Sequence, residues 1–304
     1  MARNRCAFWF GTEERMIWLD TPLSGADTSP EAPRSSGTLL NGGGFGFTSR
    51  VTHRLYRYDW RRTSDRRLIE ELQAYRMGLF GHGLIYFHDP LTFTSNVLPA
   101  SWSAPGMFTD GAGDAVFPGW TLTTSRQSSG NLNLPVMTLR MSANTGQATF
   151  RREVFVPIPE GYQLHLGAFY QGSKAAPYYR VMDDAGNVSD TFEPVPRLDP
   201  AKANVVSPTP ITGRGVYLSI RGTAANCWVD LQAMVGRLFK AGTAKEQDFM
   251  GPFGIGLGHS GAVFESEPTI VEYNGVGGGQ FGASATFREV GNWTPRGVYA
   301  EVRA

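Results

Sequence analysis

The chain is poor in the residues that build reactive or metal centres. It has two cysteines in 304 residues, Cys6 and Cys227. They lie far apart in sequence, close at most one disulfide, and join no Cys/His cluster with metal-ligand spacing. Long apolar runs are also missing, and no window approaches the ~20 residues of a membrane span. The stretch Cys6–Phe10 is too short for a signal peptide and is soon followed by Glu13, Glu14 and Arg15. The expectation is a protein folded in a cytoplasm, with no export by the usual route and no membrane partner. A net charge of +1 gives no reason to expect nucleic acid or an acidic surface as partner. Lysine is absent before residue 100, where the basic residues are all arginine. Arginine suits bidentate pairs at interfaces. No nucleophile–base, metal or cofactor pattern stands out, so no enzyme is expected, no cofactor and no metal.

What is present is β-patterned. Glycine (37) and proline (19) punctuate short apolar runs, as in all-β architectures. The most informative stretch runs from Leu39 to Pro90. It opens with Asn41-Gly42-Gly43-Gly44 and continues as a β-patterned run from Phe45 to Trp60. Phe45, Phe47, Val51 and Leu55 share one parity; Tyr56, Tyr58 and Trp60 share the other. Successive side chains alternate faces, so the apolar face changes side near Arg54. Either two successive strands meet at a bulge, or one strand of about 50 Å reaches beyond its own domain. A helix is predicted over 64–77, capped by Thr63 or Ser64, with Asp65 and Arg76 matched to its dipole and Gly78 as its left-handed stop. Its apolar stripe is Leu68, Leu72, Tyr75 and Leu79, with Ile69 beside it. Arg67 and Glu71 are spaced to pair on the other face. A short strand, Leu84–Phe87, closes at Asp89-Pro90.

On either side the punctuation is clear. Phe8–Gly11 and Met16–Leu19 read as a hairpin around Thr12–Arg15, and Thr21–Gly37 reads as a Pro/Ser-rich loop. Leu91–Pro105 reads as a crossover into a second domain. Strand signals follow at 119–122, 136–141, 149–156, 162–169, 178–182, 215–220, 228–235, 262–264, 269–273 and 284–290. The predicted fold is mainly β: an N-terminal α+β domain with one helix over 1–100, then a β-sandwich over 103–304 with Trp120, Phe155, Leu166 and Trp228 in its core.

Two sets of residues resemble known families. Phe8-Trp9-Phe10-Gly11, Asn41–Phe45, Tyr58-Asp59-Trp60, the single helix, Leu84–Pro90, Asn96–Ala100, Trp102–Pro105 and the closing Ser284–Phe287 with Glu289–Trp293 are similar to distal tail (minor tail) proteins of long-tailed phages infecting actinobacteria. That resemblance implies a split-barrel-like domain forming a ring, six copies in all, that joins the tail tube to the tail tip or baseplate. It also implies a virion protein assembled in the host cytoplasm, with the tube protein and tail-tip hub proteins as partners. The middle, Glu153–Tyr162 with Leu164–Phe169 and Val181–Val188, resembles carbohydrate-binding jelly-roll modules. It implies a jelly-roll fold and, as the alternative function, a glycan-binding module that recognises the host surface or cell wall.

The candidate sites have simpler readings beside them. Asn41–Gly44 lacks the Lys-Ser/Thr and the helix of a phosphate loop, and Gly254–Gly258 fails the dinucleotide pattern for the same reason. Asp183, Asp184 and Asn187 around Gly186 fall short of the oxygens calcium requires and read as a hairpin turn. Glu153, Glu160, Asp183 and Asp184 are carboxylates whose spatial separation a glycosidase would use. Among the histidines, His165 reads as a surface or half-buried strand residue, while His82 and His88 bracket a strand and can approach each other. Trp102, Trp120, Tyr178, Tyr179 and Trp228 are the aromatics a sugar ring would stack on, core packing being the default use of such residues.

Overall fold

The computed structural model describes residues 8–22, 27–31, 34–38, 44–48, 53–63, 66–93, 95–105, 108–109, 120–125, 136–141, 148–149, 153–198, 209–243, 256–259, 261–273, 280–290 and 294–295. The fold is mainly β, in several antiparallel sheets.

The N-terminal hairpin forms as its pattern predicts. Phe8–Gly11 pairs with Met16–Leu19, and Tyr86–His88 joins on the other side of Phe8–Gly11. Alternation puts Phe8 and Phe10 into one core and Trp9 on the opposite face. The long β-patterned run resolves into two strands in different sheets. Gly44–Thr48 pairs with Arg34–Thr38, and His53–Thr63 pairs with Asp27–Glu31 and Gln280–Glu289. The predicted loop at Thr21–Gly37 therefore carries two strands; its Pro/Ser content hid backbone pairing that is set by partners elsewhere.

The helix spans Arg66–Arg76, and Leu68, Ile69, Leu72 and Tyr75 are buried. Leu79 departs from the predicted stripe and is 66% exposed. The reason is Gly78: its φ of +74° turns the chain away before Leu79 can continue the helical face. Glu71 binds Arg15, at 2.6 and 2.9 Å, and also feels the charge of Arg67, its predicted partner. Two single-turn helices, Pro90–Phe93 and Ala100–Ser103, add to the one predicted.

The domain boundary needs correction. The strands Ala262–Phe264 and Thr269–Tyr273 pair with Gln280–Glu289, which pairs with His53–Thr63. The last strands thus complete the first unit, leaving a second unit inserted between its halves. Small residues face large ones at two places along this closure, Ala283 opposite Trp60 and Ala285 opposite Tyr58, and two aromatics, Phe287 and Tyr56, oppose each other at a third. One aromatic-rich core results, built from Phe8, Phe10, Tyr56, Tyr58, Trp60, Phe87 and Phe287 with the helix stripe.

The inserted unit has two antiparallel sheets. One is ordered Tyr162–Ser173, Trp228–Lys240, Val136–Met141, Trp120–Ser125. In the other, Gly215–Gly222 pairs with Ala148–Thr149, Val154–Pro157 and Ala175–Met182, and Glu193–Pro194 pairs with the last of these. Leu164, Leu166, Val229 and Leu231 of one sheet share a core with Val154, Val156, Val216, Leu218 and Ile220 of the other. A bulge opposite Phe169/Tyr170 switches parity in Trp228–Lys240, so Leu231 and Met234, three apart, both face that core. Leu166 is core as expected. Phe155 is buried outside this core, against Tyr86 and Met182. Trp228 is only half-buried, so it is not the core residue predicted. The side chain of Trp120 lies outside the described residues.

The crossover is structural. Val97, Leu98 and Trp102 are buried in the second unit's core. Asn96 clamps a neighbouring strand, donating through Nδ2 to Met234 O and accepting Gly236 N–H at Oδ1. The returning chain at 256–258 lies directly on this segment. A Cβ on Gly258 would sit 1.7 Å from Val97 O, and one on Gly256 1.9 Å from Leu98 O. The glycines are required there by backbone contact, which explains a tract that matches no nucleotide motif.

Candidate functional site

The two units meet along the outer face of the N-terminal hairpin. Its turn, Thr12–Arg15, is fixed from both sides. Thr12 Oγ1 donates to Phe80 O at 2.5 Å, and Arg15 is held by Glu71. The Glu13 carboxylate accepts the Tyr86 hydroxyl at 2.9 Å and the Tyr217 hydroxyl at 2.5 Å, one tyrosine from each unit. Burial, then the Glu13 carboxylate, pushes the Tyr86 hydroxyl well up from its ordinary pKa; burial and the hydrogen bond to Glu13 do the same at Tyr217. Both therefore stay protonated donors. Arg214 Nη1 donates to Glu14 O, and His88 Nε2 lies 2.9 Å from Pro157 O. A carbonyl only accepts, so Nε2 carries the proton.

Beside this seam lies a cleft of about 560 Å³. Trp9, Met16, Ile158 and Tyr162 give it an apolar wall; Glu13, Glu14, Glu160 and Asp184 bring carboxylates, and Arg15 and Arg214 bring cations. Of the four carboxylates read from sequence, Glu160 and Asp184 are thus brought to one cleft, while Glu153 and Asp183 are not. Glu153 forms a forked pair with Arg180. Asp183 closes the hairpin turn, taking Asn187 N–H at 2.7 Å and Asn187 Nδ2 at 3.1 Å, and those bonds hold its carboxyl below the usual range. Glu160 and Asp184 are both exposed. Sequence reasoning missed Glu13, Glu14 and Arg214, because each sits in a turn that reads as a solvated corner.

Of the five aromatics read as stacking candidates, the four with described side chains lie in separate surroundings. Trp102 is 3% exposed within the core, so both its faces are covered. Tyr179 packs half-buried against that same core. Tyr178 alternates to the other side of its sheet, opposite Ser219 and Pro194. Trp228 opens a strand of the opposite sheet, the one containing Tyr162–Ser173, and lies across from Ser173 and Arg140.

A second polar cluster is buried under the seam. Arg54 reaches Glu289 at 2.7 and 3.2 Å and donates to Gly258 O at 2.8 Å. Burial alone would depress the Arg54 guanidinium, and Glu289 more than restores it. Backbone N–H groups of Phe87 and Gly261 point at the two ring nitrogens of His259, at 3.2 and 3.1 Å. Burial, then the charges of His88 and Arg54, lower His259 to about 3; burial lowers His88 to about 4. Both are neutral at pH 7. His82 stays exposed against Gly78 instead of approaching His88, and His165 is buried beside Phe239, not at the surface. Among the described residues no group of three or more His, Cys, Asp or Glu could hold a metal ion, and no helix is long and apolar enough to cross a membrane. No family model, curated protein or solved structure matches the chain.

Proposed function

We propose that the chain is a structural subunit of a phage tail tip, forming a ring that joins the tail tube to the tip or baseplate. One observation carries this reading. The sheet that unites the two ends of the chain runs from Asp27–Glu31 at one edge to Ala262–Phe264 and Thr269–Tyr273 at the other; Ala262 is bridged to Ile85, while Asp27–Glu31 and Thr269–Tyr273 have no further strand partner among the described residues. The ribbon of Arg34–Thr38 with Gly44–Thr48 is likewise two strands alone. A lone two-stranded ribbon is marginal in water, and open edges invite another chain. Two different edges on one sheet suit a head-to-tail contact, which closes as a ring when the rotation allows.

On this reading the first unit is the split-barrel-like ring domain. The inserted unit is a jelly-roll-like module carried on it, facing outward. The tail-tube protein and tail-tip hub proteins are its neighbours, and six copies complete the ring, as the resemblance implies. The seam supports the reading, since a module fixed at several points is held in place as the ring forms. The experiment is an image of the assembled particle at a resolution that traces the chain. The expected result is a closed ring around the tail axis, with residues 1–100 of one copy, at the Asp27–Glu31 edge, against the edge formed by residues 262–273 of the next. A particle in which residues 1–100 touch no other chain overturns the proposal.

A further inference from the structure

We propose that the seam between the two units is an acid-sensitive latch, which His88 and His259 hold shut as neutral imidazoles and open when protonated. The latch is separate from the sheet edges and does not depend on the ring.

The two histidines stand at the joints of the molecule. The outgoing connection leaves the first unit after Tyr86–His88, and the returning one rejoins it at Ala262–Phe264. His88 ends the first of these strands and His259 lies just before the second. Both are buried, 2% and 7% exposed. His88 Nε2–H donates into the second unit, to Pro157 O at 2.9 Å. Its Nδ1 is buried without a partner among the described residues. His259 stands in for a strand. Ile85 and Ala262 exchange both backbone bonds, and beyond them the His259 ring faces the Phe87 and Gly261 N–H groups, one at each nitrogen. A neutral imidazole accepts at one nitrogen only, so it answers one of those donors. A second proton removes that bond too and sets N–H against N–H on both sides. On His88 a second proton makes an N–H that meets no acceptor among the described residues. Water reaches these protons when the seam parts, and a local opening leaves the cores on either side intact.

The surrounding groups do not relieve that cost. Arg54 and His88 both oppose charge on His259, and Glu289 is bound to Arg54. Tyr56 and Tyr86 flank the His259 ring, and burial keeps both hydroxyls protonated. Asp89 favours charge on His88, but burial outweighs it, and Asp89 already accepts from Thr92 and Tyr58. From the second unit His88 meets the Pro157 carbonyl. Glu13, between Tyr86 and Tyr217, is a third titratable tie across the seam. In the closed seam His88 and His259 titrate at about 4 and about 3, against about 6.5 for a hydrated histidine. The latch is therefore complete above pH ~6.5. Below that its closed-to-open ratio falls by up to about tenfold per pH unit for each histidine. Ordinary carboxylates, which titrate near ~4, stay ionised down to pH 5.

The test is hydrogen exchange of the full chain between pH 7 and pH 5, corrected for the intrinsic effect of pH and resolved by segment. Protection of the segments holding Phe87 and Gly261 should fall by up to about tenfold per pH unit for each histidine. Protection at Leu166, Val229 and Leu231, in the core of the second unit, should hold, and the seam should recover on neutralisation. His88→Asn with His259→Asn removes the titrating groups and should flatten the fall. Glu13→Gln removes the third tie and should leave the fall in place. The proposal is overturned if seam protection is constant from pH 7 to pH 5, if seam and core lose protection together, if Glu13→Gln abolishes the fall, or if the double histidine variant keeps it. The first two outcomes are read on the parent chain, so they decide the matter even where a variant fails to fold.

Discussion

Removing Arg54 should cost far more than removing Arg54 and Glu289 together. The pair is almost wholly out of water, with side-chain exposures of 7% and 6%. Unit charges ~4 Å apart at an effective dielectric of ~20 attract by about 4 kcal/mol. That attraction offsets the cost of burying them. Arg54→Met leaves the Glu289 carboxylate buried without its cation, and the expected loss is about 3–5 kcal/mol. Glu289→Met strands the guanidinium and should cost about as much. In the double variant neither charge remains. The Gly258 carbonyl then loses its Arg54 donor at 2.8 Å, at a cost of about 1–3 kcal/mol. The double variant should therefore lie well above the sum of the singles, with a coupling of at least about 3 kcal/mol. Urea unfolding of the four proteins at pH 7, read by tryptophan fluorescence, measures the cycle. Additive singles, or an Arg54→Met cost under about 1 kcal/mol, would refute the account of this pair as the buried tie between the strand at His53–Thr63 and the closing strand.

Acid should loosen the fold before its exposed carboxylates explain the loss. His88 and His259 titrate at about 4 and about 3 in the fold, against about 6.5 unfolded. Their contribution is complete above pH ~6.5 and falls by up to about 1.4 kcal/mol per pH unit per histidine as pH drops toward the folded values; His88→Asn should flatten a stability–pH profile measured from pH 7 to 4.5. Gly258→Ala forces a Cβ onto the Val97 carbonyl and should lower stability by about 1–3 kcal/mol or more, measured by thermal unfolding. Trp102→Ala should cost about 3–5 kcal/mol, since Trp102 is core, while Trp228→Ala on the half-buried strand start should cost clearly less; the reverse order in a denaturation series would contradict the assigned burial.

Much of the fold is legible in the chain because strand signals are local. Alternation and Gly/Pro punctuation locate the strands at Val136–Met141, Ala262–Phe264 and Thr269–Tyr273 to the residue. Helix chemistry locates Arg66–Arg76, and Gly78 ends it as its type predicts. Partner choice is different. Alternation says that Ala283, Ala285 and Phe287 share a face, and says nothing of which strand they meet. The complementary sizes of Trp60 with Ala283 and Tyr58 with Ala285 were the available signal, and across more than two hundred residues they are too common a pattern to single out. The cleft was illegible for a related reason. Glu13, Glu160, Asp184 and Arg214 come from separate corners, and each corner alone is an ordinary polar turn. Only the seam between the units makes them neighbours.

That seam bears on the proposed role in a ring. A module inserted into a sheet through two connections has two tethers to its host, and here both are packed. The outgoing one buries Val97, Leu98 and Trp102 in the module's own core. The returning one, at 256–258, lies on the outgoing one closely enough to exclude a Cβ. Glu13 joins a tyrosine of each unit, and His88 reaches Pro157 across the boundary. Tilting the module would break these bonds together, with carbonyl, carboxylate and imidazole groups left short of partners in a half-buried seam. Because unmet buried polar groups cost about 1–3 kcal/mol each, the seam favours one orientation over a range of them. An assembly that repeats this subunit therefore inherits the direction in which each module points, and the cleft, formed at the same seam, is presented at the same angle by every copy.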